Sequence, residues 1–155
     1  MVKDEDLELA EFAAPDEAQG DYLVFRLGKY HGALAARWVR GICAYPQLFS
    51  VINASEDLRG VLNFHGEVIP VFDWALRHGW PNVVYDRFSV TIVYGTDQRL
   101  TGVMAERVCE LVVLAEARGR EVTRDHPLAA LSRCVVTTDE YESLYLLDEE
   151  LLLLS

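Results

Sequence analysis

The side chains able to do chemistry in this sequence are four histidines, three cysteines and the carboxylate of Asp73, and their spacing decides what they can do. His31, His65, His78 and His126 are scattered, with no H-E-x-x-H, no His-x-His and no cysteine at ligand spacing. A metal site would have to be assembled wholly by the fold. Cys43, Cys109 and Cys134 are odd in number and far apart, with no C-x-x-C, which points to free thiols in a reducing cytosol. Asp73 could pass for a catalytic carboxylate, yet it stands just ahead of Trp74–His78, where an aspartate caps a helical turn. Arg77 and His78 close that turn where positive charge is favourable. No two glycines form a phosphate loop, so the sequence reads as non-enzymatic and without a cofactor. What remains is binding through a surface.

The element that positions these residues is the stretch from Leu58 to Trp74. Two apolar runs, Val61–Phe64 and Val68–Phe72, flank His65-Gly66, the pattern of a tight hairpin whose turn needs positive φ. Pro70 lacks an N–H and places the second strand at a sheet edge or at a bulge. Upstream, Tyr22–Leu27 and Tyr30–Ala35 are strands joined by Gly28-Lys29, and Ala36–Tyr45 is a bent segment leading into another. Downstream, Arg87–Tyr94 alternates as a strand and turns into Arg99–Ala105, with Leu111–Leu114 following. The span 115–133 is polar and turn-rich, and Cys134–Thr138 with Ser143–Leu147 forms a last hairpin before Asp148 caps Glu149–Leu154. Many short strands without a long helical period predict an all-β fold of small barrels.

Composition narrows the class. Half of the 155 residues are apolar, ample for a core, and no apolar run approaches the ~18 residues of a membrane span. Residues 1–21 hold eight acidic side chains against Lys3 and so carry −7 of the −11 net charge. That arm reads as disordered, leaving residues 22–155 as the folded domain. Nucleic acid is excluded as a partner, since phosphate neutralisation needs clustered lysine and arginine. The acidic N-terminus is unlike a signal peptide, and the expected location is the cytoplasm.

The central stretch resembles the signature of the bacterial chemotaxis coupling protein (CheW-like) family, Gly-Val-x-Asn-x-Arg-Gly-x-Ile-x-Pro-Val-x-Asp. Gly60, Val61, Asn63, Gly66, Ile69, Pro70, Val71 and Asp73 stand in register with it. The resemblance covers roughly Tyr22 to Leu154. It implies two five-stranded SH3-like barrels sharing an apolar interface, with short helical turns. It also implies an adaptor that bridges the regulatory domain of a CheA-type histidine kinase and the cytoplasmic tip of a chemoreceptor, at polar receptor arrays, with other CheW-like domains as further partners. By register the receptor groove would include Val39, Gly41, Ile42, Gly60, Asn63, His65, Gly66 and Ile69. The family commonly pairs a glutamate with the arginine of the hairpin turn. Here Gly41 and His65 stand in their places, so both partners of that pair are replaced together. Losing both costs little, because an exposed pair contributes only ~0–1 kcal/mol. The alternatives are the same fold as a scaffold in pilus motility or polar localisation, a small Cys/His-dependent enzyme, and an oligomeric scaffold.

Overall fold

The computed structural model describes residues 11–13, 20–44, 48–52, 55–115 and 118–154. Among these the chain is almost wholly β. The strands are β1 (Glu11–Ala13), β2 (Gly20–Leu27), β3 (Tyr30–Ala35), β4 (Val39–Ala44), β5 (Leu58–Phe64) and β6 (Glu67–Phe72). They continue as β7 (Val90–Thr96), β8 (Arg99–Ala105), β9 (Arg107–Leu114), β10 (Arg118–Glu121), β11 (Ser132–Val136) and β12 (Leu144–Leu147). Two short helices, α1 (Trp74–His78) and α2 (Glu149–Leu154), follow β6 and β12. One sheet runs β4-β7-β8-β6-β5, and the other β1-β10-β11-β12-β3-β2-β9. The second exceeds five strands because the short β1 and β10 extend one of its edges.

Described residues up to Val24, with Tyr30–Ala35 and those from Glu110 onward, make one compact unit; Phe25–Lys29 and Ala36–Cys109 make the other. The first is built on Tyr22, Val24, Ala33, Ala35, Leu114, Val136, Leu144 and Leu146. The second is built on Leu62, Ile69, Val71, Val93 and Met104, with Cys43, Leu48, Phe64 and Tyr85 packed around them. The residues of each cluster alternate along their strands, yet β2, β3, β7 and β8 each carry at least four consecutive buried residues and so are covered on both faces.

Several local expectations change. The strand expected from Arg87 begins at Val90. Ahead of it, Asp86 accepts the Phe88 N–H at 2.8 Å and donates its own N–H to Ser89 Oγ at 2.8 Å, so the chain turns first. The span 115–133 contains β10, whose Arg-Gly-Arg-Glu sequence carries no strand signal; pairing with β11, Gly119 opposite Val136, imposes it. Within the acidic arm, β1 pairs with β10 in the register Glu11–Arg120, while residues 1–10 and 14–19 lie outside the described residues.

Pro70 is neither at an edge nor on a bulged strand, since β6 lies between β5 and β8. Its partner Val61 spends both backbone groups on Phe49, at 2.8 and 2.9 Å, so Val61 and Pro70 form a non-hydrogen-bonded pair. The missing N–H then faces β8, and pairing on that side begins only at Val71 with Gly102. The bulge sits instead on β5, between Leu58 and Gly60.

Candidate functional site

The hairpin forms as the sequence requires. His65 and Gly66 take consecutive positive φ values of 53° and 85°, the mirror-image turn that suits twisted strands. Asn63 locks it, its Oδ1 accepting the Gly66 N–H at 3.0 Å. At the other end of β6, Asp73 caps α1 by accepting the Leu76 N–H at 3.1 Å, and Gly79 ends the helix.

Gly41 and Phe64 come together from opposite edges of the five-stranded sheet. A Cβ on Gly41 would lie 2.6 Å from Phe64 Cε1 and 2.8 Å from Cζ. The ring therefore occupies the space a side chain at 41 would need, and it bridges two strands that share no ladder. His65 packs edge-on against the same ring, centroids 4.4 Å apart. Gly41, Phe64 and His65 are thus one aromatic assembly. Phe64 is a residue the sequence reading missed, although a large apolar side chain beside a turn, with a glycine elsewhere to receive it, is a usable signal.

The other expected site residues fall on different faces. Ile42 points outward and is exposed, whereas Val39 is half-buried and lies in register with Tyr94. Gly60 is buried in β5, not at a turn; a Cβ there would lie 2.5 Å from Phe49 O, so glycine permits the Phe49–Val61 bridge. Ile69 is 1% exposed and belongs to the core, which removes it from any accessible surface. Counted from Gly66, the motif's isoleucine falls on Val68, which is 69% exposed and stands opposite Asn63. A shift of one residue on a strand reverses the face. The outward surface thus carries Val68, Pro70 and Val61 in two cross-strand rows, with Phe49 bridged beside Val61.

Two of the groups with catalytic potential, Asp73 and Cys134, are committed to structure. Asp73 is buried, accepts the Tyr85 hydroxyl at 2.8 Å, and has an Arg59 guanidinium nitrogen at 3.5 Å. Burial, reinforced by the Asp73 charge, pushes the Tyr85 phenol far above its ordinary range, so it stays protonated. A cavity of about 400 Å³ opens here, lined by Arg59, Asp73, Trp80 and Tyr85 among others. Its carboxylate has no free proton-transfer role, being the helix cap and the acceptor for Tyr85. Burial pushes the Cys134 thiol up to about 11, far from the range of a nucleophilic thiolate. Among the described residues no three His, Cys, Asp or Glu side chains gather as metal ligands, and no helix is long and apolar enough to cross a membrane.

Comparison with known proteins gives a consistent result. The CheW-like domain family model matches residues 21–155. A chemotaxis protein CheW of Klebsiella aerogenes is 28% identical over 94 residues, a match that takes in 61% of this chain and 57% of that protein's length. The crystal structure of the scaffolding protein TtCheW from Thermoanaerobacter tengcongensis superposes with a TM-score of 0.72. It is 19% identical, and the match covers 84% of this chain and 89% of that one, a likeness of fold.

Proposed function

The chain belongs to the CheW-like domain family, and on that premise we propose that it is a cytoplasmic, non-enzymatic adaptor that couples chemoreceptors to a CheA-type histidine kinase. It acts by contact alone and without a cofactor. The observation that carries this reading is the exposed apolar surface on the β4 and β5–β6 elements, where Ile42 and Val68 face solvent. A surface of this sort, rimmed by polar residues such as Asn63, Arg40 and Glu67, suits a protein partner. The receptor contact here is aromatic and apolar in character, since Phe64 fills the place above Gly41 and His65 packs edge-on against Phe64. Arginine's planar fork has no counterpart in this arrangement, so the receptor that fits it does not rely on a paired carboxylate at that point.

Pull-down with purified CheA-type kinase and with receptor signalling fragments tests the proposal. The parent protein is expected to capture both. Ile42→Asp with Val68→Asp should lose the receptor fragment and keep the kinase, because a charge forced into an apolar contact must be desolvated without a partner. Failure to capture either partner, or capture of receptor unchanged by the two aspartates, overturns it.

A further inference from the structure

Strand β9 ends the longer sheet: β2 pairs with one side of it, and no strand among the described residues pairs with the other. Along β9 the side chains alternate. Leu114 is buried and Val112 packs against the core, while Leu111 and Val113 point outward at 65% and 73% exposure. A groove of about 320 Å³ runs beside the strand, between residues 110–114 and the loop Thr138–Glu140. The loop is held in place. Thr138 N–H donates to the Tyr141 carbonyl at 2.8 Å, Tyr141 N–H to Thr138 Oγ1 at 3.0 Å, and the Tyr141 hydroxyl to Glu110 Oε2 at 2.6 Å. The rim is acidic, made by Glu110, Asp139 and Glu140, and none of the ion pairs among the described residues involves these three.

We infer that the free edge of β9 takes an extended, basic peptide segment as an added strand. An edge strand offers unpaired backbone groups as a template, and strand addition draws affinity from them and specificity from alternate side chains. The two faces of β9 set that alternation. Side chains on the outer face of the added strand would lie along Leu111 and Val113 and are apolar. Those on the other face would meet Glu110 and the Asp139–Glu140 rim and are lysine or arginine. Charge argues against a second copy of this chain, since pairing β9 with itself sets two acidic rims together within a molecule of net charge −11. The inference stands apart from the adaptor reading, because it concerns a different strand and a different chemistry.

Fluorescence anisotropy with the full-length chain tests it, using labelled Lys-Val-Lys-Val-Lys-Val against Glu-Val-Glu-Val-Glu-Val at low salt. The lysine peptide should bind at least about ten-fold more tightly. Asp139→Lys with Glu140→Lys should weaken it about ten-fold, whereas the charge-matched Glu56→Lys with Asp125→Lys should leave it unchanged. Leu111→Ser with Val113→Ser should weaken it without lowering the melting temperature, and amide exchange should slow along residues 110–114 when the peptide is bound. Equal loss in both lysine variants, equal binding of the two peptides, or slowed exchange elsewhere overturns the inference. Sedimentation showing a dimer that Leu111→Ser with Val113→Ser dissolves would also overturn it, by giving the edge to a second copy.

Discussion

A carbon added at position 41 would collide with the Phe64 ring at 2.6 Å, and that ring is packed against the core and against His65. Gly41, Phe64 and His65 are therefore interdependent at the residue scale. An ion pair introduced by Gly41→Glu and His65→Arg requires the Phe64 ring to move, because the ring fills the space a side chain at 41 would take. Gly41→Glu alone should destabilise the protein by about 1–3 kcal/mol, the ordinary cost of overpacking. Adding Phe64→Leu should recover much of that loss. Urea unfolding of the single and double variants checks this; additive effects of the two changes would show that the ring does not occupy the position. The glycine was legible in the sequence as a departure, and its cause was not, since a residue 23 positions away supplies the colliding atoms.

At the scale of elements, the β5–β6 hairpin and α1 are specified locally, and the structure realises them with the expected turn, cap and stop. Asp73 holds more than its helix, since it also accepts the hydroxyl of the half-buried Tyr85. Asp73→Ala should thus lose a cap, about 1–2 kcal/mol, and the hydrogen bond that its charged carboxylate accepts from Tyr85, about 1–3 kcal/mol. Urea unfolding should show a loss of about 2–5 kcal/mol, with Tyr85→Phe in the Ala background restoring part of it. A loss no larger than that of an exposed cap would contradict this account. Elements without local signal fared differently: β10 has neither apolar alternation nor β-formers, and only its neighbours β1 and β11 make it a strand.

At the scale of the whole molecule, three groups make the fold sensitive to acid. Burial lowers the His78 pKa, aided by the charge of Arg77 against that of Asp57. Hydrogen bonds from Ser55 and Arg77 hold the Asp57 carboxyl below its usual range, and Arg107 and the Phe88 N–H do the same for Asp86. In each case the unfolded chain binds the proton more readily, so stability falls as pH falls. The fall should begin below about 6.5, where His78 titrates in the unfolded chain, and steepen below about 4 for the two carboxylates. Melting temperatures across pH 3–8 check this; His78→Gln should remove the upper step, and a melting temperature that rises on acidification would refute it. By itself the sequence determined the all-β class, the central hairpin with its cap, and the family, because turns, caps and alternation are short-range and a motif is a local string. The tertiary structure alone decided which face Val68 and Ile69 occupy, what fills the space at Gly41, and that β9 ends its sheet among the described residues. Those outcomes depend on strand register and on contacts between residues far apart in the chain, which no local pattern encodes.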